Sequence, residues 1–194
     1  MLKLATILDN PGEPLASTQY RDPKVLRELG YNGVVIYPTT ALSGVIRHMP
    51  VDDPEMNRWI EEQYAALRKA CEDALQQEMS VWLTFDAPSL ARHMVEQNMT
   101  CLRQSAVLCP ASKELLNACT RSLNAMMHDF PNIDGIVLRL GDNDAHRLVH
   151  LRGNDIYAPQ CARCNGMGRV DRLEQWITNF YDLVIGKMGK RMIV

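Results

Sequence analysis

The order of strand-like and helical segments constrains this chain more than any other feature. Five apolar runs are separated by stretches with helical spacing, and the fifth run, residues 190–194, follows a helix. A strand that returns to its neighbour through a helix lies parallel to it. The sequence therefore predicts a parallel α/β sheet built as a (βα)4β unit.

The predicted strands are short runs rich in Val, Ile and Leu, and most end at Gly, Pro or Asp. They are Lys3–Asp9, Gly33–Tyr37, Val81–Phe85, Gly135–Leu140 and Lys190–Val194. Helical spacing and capping residues predict the helices between them. These are a short helix from Pro23 to Leu29, a long one from Asp53 to about Met79, a short one around Leu90–Glu96, one over Ala111–His128, and one capped by Asp171.

This order fits the first half of an eight-stranded (β/α) barrel, which takes about 200 residues at the least and typically about 250. We expect residues 1–194 to form a single α/β domain that corresponds to the N-terminal half of such a barrel. It is then either a fragment of a longer protein or a half-barrel that pairs its open edges. The alternative is an open, five-stranded, doubly wound sheet that binds a nucleotide. It is disfavoured because no GxGxxG motif follows the first two strands, and Asp9 would repel a phosphate.

Composition excludes several classes of function. The formal net charge is −2 with opposite charges interspersed, so neither nucleic acid nor an anionic membrane is an expected partner. No apolar run approaches the roughly 20 residues of a membrane span, and the sequence from Met1 has no signal-peptide layout. The six cysteines are scattered, as is typical of reduced intracellular proteins. We expect a cytoplasmic protein.

Polar side chains follow the predicted strands at their carboxyl ends. Side chains alternate between the two faces of a strand, and the faces that carry small residues, such as Ala5, are predicted to point into the lumen. On those faces the last residues are Asp9, Tyr37, Asp86 and Arg139. Parallel α/β sheets place their sites at this edge. The four residues therefore form either a ligand site or a buried ion network that closes the top of the barrel.

Two carboxylates, Asp142 and Asp144, come directly after predicted strand four. One carboxyl group at this place can protonate a glycosidic oxygen, while a second acts as nucleophile or base. The nearby Arg139 favours ionisation of a carboxylate, which suits a base or a substrate clamp. Both aspartates could equally be turn and capping residues.

Ser43, in the long loop after strand two, either hydrogen-bonds a sugar or shapes that loop.

The loop after predicted strand four also contains possible metal ligands. Cys161 and Cys164 have the CxxC spacing that closes on zinc, and His146 and His150 could complete four ligands. A buried thiol pair or a redox-sensitive bridge explains the cysteines equally well. We expect no cofactor, with a structural zinc ion as the alternative.

Three stretches of the chain resemble one group of proteins. They are YRDP leading to LGYNGVV (residues 20–35), IDGIVLRLGD (133–142), and GNDIY leading to CARC and DR (153–172). Together they resemble glycoside-hydrolase-like (β/α)-barrel proteins, over the front half of the barrel. The resemblance implies that the carboxylic acid after strand four is the proton donor, which maps to Asp142 or Asp144. Such families commonly carry Glu at this position, and their partner carboxylate follows a late strand that this sequence lacks.

The expected function is a carbohydrate-active hydrolase domain that is incomplete and inactive alone. Asp142 or Asp144 would be the acid/base, and a carbohydrate or other small ligand would be bound by Asp9, Tyr37, Asp86, Arg139 and Asn154. The alternative is a non-catalytic half-barrel that binds a small ligand. It would associate with itself through its open sheet edges.

Overall fold

The computed structural model describes most of the chain. The described residues are 1–7, 17–37, 42–47, 49, 52–97, 108–140, 149–153, 156 and 162–194. The fold and the contacts reported below concern these residues.

Five parallel strands form the main sheet. In chain order the strands are β1 (Leu4–Thr6), β2 (Gly33–Ile36), β3 (Ser80–Ala87), β4 (Ser89–Ala91), β5 (Gly135–Leu140), β6 (Leu151–Gly153) and β7 (Arg191–Ile193). The main sheet has the order β1-β2-β3-β5-β7, and all its neighbours are parallel. The predicted parallel α/β architecture is confirmed. Within the described residues the sheet has two edges, at β1 and β7, and does not close into a barrel.

The strand order also decides between the two predicted architectures. Each successive strand of the main sheet is added on the same side of the one before it. A doubly wound sheet reverses direction at a switch point, and the described sheet contains no such reversal. The winding is that of part of a (β/α) barrel, and the doubly wound alternative is wrong.

The helices flank the sheet, and their limits follow from local capping. They are α1 (Pro23–Glu28), α2 (Pro54–Gln76), α3 (Arg92–Gln97), α4 (Lys113–Asp129), α5 (Ala162–Asn165) and α6 (Arg169–Tyr181), the last continuing into a π-helical turn, Asp182–Lys187. The Asp53 carboxylate accepts hydrogen bonds from the first backbone N–H groups of α2, and the Ser112 hydroxyl caps α4 in the same way. The prediction that Asp171 caps its helix is wrong. Gly168 is the capping residue, and Asp171 lies in the first turn of α6.

One large hydrophobic core fills the space between the sheet and the helices. Side chains on the helix-covered face of β3, including Leu83 and Phe85, have no exposed surface. Phe85 packs edge-on against Phe180 of α6, with the ring centroids 5.7 Å apart. The Trp82 and Thr84 side chains on the other face of β3 are buried as well, and burial on both faces explains why this strand reads as a nearly continuous apolar run.

The opposite face of the sheet is partly closed by its own side chains. The Trp82 ring covers Gly135 on the neighbouring strand, and a Cβ atom on Gly135 would come within 2.5 Å of that ring. The Arg191 guanidinium also lies over the Trp82 ring, 4.9 Å from a ring centroid. Leu4 fills the space above Gly33 in the same way. Glycines on this face therefore make room for large neighbours.

A small antiparallel ribbon was not predicted. β4 and β6 pair with each other, so that Leu90 is opposite Arg152. The predicted helix over Leu90–Glu96 is therefore a strand followed by α3. The long loop predicted after strand four contains β6 and α5. No helix among the described residues is long and apolar enough to cross a membrane.

Candidate functional site

Three of the predicted site residues meet at the carboxyl edge of the sheet. Tyr37 follows β2, Asp86 lies near the end of β3, and Arg139 lies near the end of β5. The register places Asp86 directly opposite Arg139. Val35 pairs with Trp82, so Tyr37 continues the face to which Asp86 also belongs. The alternation predicted for these three strands is therefore present in the structure.

Arg139 is the centre of this cluster. Its Nη1 atom lies 3.6 Å from Oδ2 of Asp86 and donates a hydrogen bond to the Tyr37 hydroxyl. The guanidinium carbon is 4.8 Å from the centroid of the Tyr37 ring, within the range of a cation–π contact. The Arg139 guanidinium is thus held by the Asp86 carboxylate and by both the hydroxyl group and the ring of Tyr37.

Exposure differs sharply among the three side chains. The Asp86 carboxylate has no exposed surface, whereas 28% of the Arg139 side chain is exposed. Tyr37 is buried. Arg139 is therefore the most exposed of the three side chains at this edge, and the buried Asp86 carboxylate contacts it.

Hydrogen bonds between buried hydroxyl groups and the backbone hold the segments that carry Tyr37 and Asp86. The Ser43 hydroxyl accepts a hydrogen bond from the Asp86 backbone N–H at 2.9 Å, and the Ser89 hydroxyl donates one to the Ser43 carbonyl at 3.0 Å. The Thr84 hydroxyl donates to the Tyr37 carbonyl at 2.8 Å. Ser43 is fully buried. Of its two predicted roles, the structure supports shaping of the loop.

The glycine beside Ser43 allows this loop to approach the sheet. Gly44 has a φ angle of +82°, which disfavours any residue with a side chain. A Cβ atom there would lie 2.4 Å from the Leu90 Cα atom. This close contact places the loop after β2 against β4, directly behind Asp86.

The face predicted for strand one needs correction. Ala5 was expected to share the lumen face with Asp9. The register instead places Ala5 opposite Val34, which in turn lies opposite the buried Val81 on the helix-covered face. Leu4 and Thr6 occupy the lumen side. Asp9 itself lies outside the described residues, as do Asp142, Asp144 and Asn154.

The predicted metal ligands are only partly described. Cys161 and His146 lie outside the described residues. The His150 ring packs on Trp59 of α2, with 4.7 Å between ring centroids. Cys164 packs against Cys109, a residue that the metal prediction did not include. Among the residues that the structure describes, no three His, Cys, Asp or Glu side chains are grouped as metal ligands.

Comparison with known proteins finds distant similarities to solved structures. No protein-family model matches the sequence, and no curated protein does. Among solved structures, the chain is similar to a β-glucosidase from the fungus Humicola insolens, with 11% identity over 89% of this chain and a TM-score of 0.45. It is also similar to an α-galactosidase from Lactobacillus brevis (15% identity, 83% of this chain, TM-score 0.45) and to a maltogenic α-amylase from Thermotoga neapolitana (15%, 61%, 0.41).

The likeness is to part of a glycoside hydrolase barrel. The chain spans 36%, 22% and 33% of the lengths of these three proteins, respectively.

The described cluster can bind and orient a ligand. An arginine presents a planar fork of donors to oxygen atoms, and the Tyr37 hydroxyl adds a group that both donates and accepts. Asp86 offsets the charge of Arg139, so this ion pair carries no net charge. Such an environment suits a neutral polar ligand better than a phosphate. Glycoside hydrolysis also requires two carboxylates that flank the scissile bond, and Asp86 is the cluster's one carboxylate among the described residues.

Proposed function

We propose that this chain is a carbohydrate-binding domain of the glycoside hydrolase type, with its site at the carboxyl edge of the sheet. Arg139 and Tyr37 bind sugar hydroxyls, and Asp86 positions the arginine. The observation that carries the proposal is the convergence of these three side chains, from three different strands, at the edge where such sheets bind ligands.

In this proposal, Asp142 and Asp144 supply acid/base chemistry, and Asp9 and Asn154 bind further hydroxyls. Asp142 is two residues beyond the end of β5, the strand that carries Arg139. Its carboxyl group is thus connected to the site by a short piece of chain. Hydrolysis needs one carboxyl group in its protonated form and a second carboxylate as nucleophile or base, so binding and turnover are tested separately.

Binding is measured by titration calorimetry and saturation-transfer NMR against neutral oligosaccharides with α- and β-linked glucose and galactose. We expect a bound sugar whose affinity falls at least tenfold in Arg139→Met. Arg121 of α4 is exposed and is not part of the cluster, so Arg121→Met is the matched control and should bind sugar normally. Equal affinity in both variants, or the binding of sugar phosphates alone, would contradict the proposed site.

Turnover is measured with nitrophenyl glycosides and reducing-sugar release from polysaccharides. Any hydrolysis by the wild-type chain should be abolished in Asp142→Asn or Asp144→Asn and retained in Asp182→Asn, a control at the exposed end of α6. Hydrolysis that survives in both the Asp142 and Asp144 variants removes these residues from the chemistry. Sugar binding without hydrolysis would support the proposed binding function and contradict the proposed catalytic role of Asp142 and Asp144.

A second candidate is a non-catalytic half-barrel that associates with a second copy of the chain. The observation in its favour is an apolar groove of about 700 Å³ beside the edge strand β1, between α1 and α2. Leu29 lines this groove and is 57% exposed. Sedimentation over a range of concentrations should show a dimer that Leu29→Glu disrupts. Val170→Glu, a control at a more exposed position in α6, should leave the dimer intact. A monomer at all concentrations would exclude this candidate.

A further inference from the structure

Two buried thiols from distant parts of the sequence meet beside α6. Cys109 lies just before α4 and Cys164 lies in α5, and their Sγ atoms are 3.4 Å apart, so that one thiol donates a hydrogen bond to the other. Neither cysteine has exposed surface, and no disulfide joins them. With Ala111 they form a small cluster separate from the main core, against which Met167 packs.

The backbone around both thiols is held by side chains of α6. The indole Nε1 of Trp176 donates a 2.8 Å hydrogen bond to the carbonyl of Pro110, the residue after Cys109. The buried Arg172 donates to the carbonyl of Cys164, also at 2.8 Å. A hydrogen bond between two thiols is weak, so the fold around the two sulfur atoms is what keeps them next to each other.

The two sulfur atoms are close enough to be joined by oxidation. A disulfide requires about 2.05 Å between the sulfur atoms, so the two would approach each other by about 1.4 Å. Cys164 lies on α5, a single helical turn whose other three residues are exposed. Since few packed contacts hold this turn, it can make a movement of this size without disturbing the core.

The same helical turn determines how an oxidant reaches the thiols. Cys164 is the one buried residue of α5, and a segment with so little buried surface opens locally at a much smaller cost than unfolding of the whole chain. Opening brings the Cys164 thiol into solvent. When α5 closes again, the hydrogen bond from Arg172 returns the Cys164 backbone to its place, next to Cys109.

We propose that Cys109 and Cys164 are a reversible modification site, at which oxidation by hydrogen peroxide forms a disulfide that locks α5 to the segment before α4. The site differs from the bridge predicted from sequence, because the partner of Cys164 is Cys109 and not Cys161. The proposal does not depend on a sugar-binding function.

The chemistry takes two steps. The Cys164 thiolate attacks one oxygen of the peroxide, the O–O bond breaks, hydroxide leaves, and Cys164 becomes a sulfenic acid. After α5 closes, the Cys109 sulfur attacks the sulfenic sulfur, the S–S bond forms, and water leaves. Over both steps the two thiols lose two electrons and two protons, and the peroxide is reduced to two molecules of water. Dithiothreitol reverses the modification by thiol–disulfide exchange.

The first measurement is peptide mapping of the folded full chain after brief exposure to hydrogen peroxide. The remaining thiols are alkylated in denaturant, and the chain is digested with trypsin without reduction. Trypsin cleaves after Arg163, so Cys161 and Cys164 fall in different peptides. We expect the Cys109 and Cys164 peptides to be linked, and dithiothreitol to remove the link. Cys164 linked to Cys161, or both Cys109 and Cys164 recovered as alkylated thiols, overturns the proposal.

The second measurement tests whether the fold selects this pair. Oxidation should raise the Tm of the wild type, because a link between residues 55 positions apart restricts the unfolded chain. The same rise is expected in Cys71→Ser and no rise in Cys109→Ser. Cys71 is a suitable control because it is also buried, in α2, and burial raises its pKa to about 12. A rise in Cys109→Ser equal to that of the wild type overturns the proposal.

A comparison on the wild-type chain keeps the test valid should Cys109→Ser not fold. The chain is oxidised once in buffer and once in urea, and the disulfides of both samples are mapped. In urea the share of the link between Cys109 and Cys164 should fall several-fold, because the fold no longer holds the two sulfur atoms together. An equal share in both samples overturns the proposal.

Discussion

The ion pair between Asp86 and Arg139 makes a quantitative prediction. The two charged groups are 3.6 Å apart, and at an effective dielectric constant of about 20 their attraction is about 4–5 kcal/mol. Removing one partner of a buried pair costs roughly 3–5 kcal/mol, because the other charge stays in a poorly solvated place. Arg139 is partly exposed, which places the expected value at the lower end. We expect Arg139→Met to lower the free energy of unfolding by about 3 kcal/mol at neutral pH.

A double-mutant cycle separates the ion pair from other effects of the arginine. Asp86→Asn combined with Arg139→Met removes both charges, and since the buried carboxylate is then absent, most of the lost stability should return. We expect a coupling energy of about 2 kcal/mol between the two positions. Urea unfolding of the wild type, both single variants and the double variant, followed by tryptophan fluorescence, supplies the four free energies.

Two results would refute this reasoning. A cost below about 1 kcal/mol for Arg139→Met would mean that the Asp86 carboxylate is solvated or neutral without the arginine. Additive effects of the two single variants would mean that the 3.6 Å contact contributes nothing to stability. In either case Asp86 would not be the group that positions Arg139 for a ligand.

Three further predictions concern the rest of the described chain. Gly135→Ala should lower the free energy of unfolding in urea by about 2 kcal/mol, because the added Cβ atom meets the Trp82 ring. Gly186→Ala, with open space around it, should be neutral or slightly stabilising. Equal effects of the two substitutions would show that the Trp82 ring moves to make room. Iodoacetamide at pH 8 should leave Cys71 unmodified until urea unfolds the chain, because burial raises the pKa of this thiol to about 12, and rapid labelling in the folded chain would contradict that burial. Arg172→Met should lower the free energy of unfolding by about 3 kcal/mol, because three carbonyl groups lose their hydrogen-bond donor. A decrease of less than about 1 kcal/mol would show that water takes the place of the guanidinium as donor.

The sequence is most informative for the longer strands of the main sheet. The predicted limits of Gly135–Leu140 match β5. The alternation of side chains predicted which face of β2, β3 and β5 carries the polar residues. These strands are four to eight residues long, so each face has at least two residues that show its character. In β1, with three residues, a single small side chain suggested the wrong face for Ala5.

Contacts between distant, short segments could not be predicted. β4 and β6 have three residues each and about 60 residues lie between them, so neither gives a periodic signal. Cys109 and Cys164 are 55 positions apart. Only the CxxC motif indicated that Cys164 has a sulfur neighbour, and it pointed to nearby residues in the sequence. The role of Ser43 in holding the Asp86 backbone has no sequence signal, since serine is common in loops.

The buried thiol cluster of Cys109 and Cys164 and the carboxyl-edge site contact different parts of one helix, α4. The thiol cluster lies before the start of α4. The middle of that helix contacts the segments behind the carboxyl-edge site. There the Cys119 thiol donates a hydrogen bond to the Ser89 carbonyl, and the Ser122 hydroxyl donates one to the Val45 carbonyl. Ser89 in turn holds the Ser43 loop behind Asp86. These inner contacts are buried, and α4 packs its apolar face on the main core, so the middle of the helix stays in place when its first turn is disturbed. The thiol contact of Cys109 therefore concerns the loops around the start of α4, while the geometry of the carboxyl-edge site is set by the core.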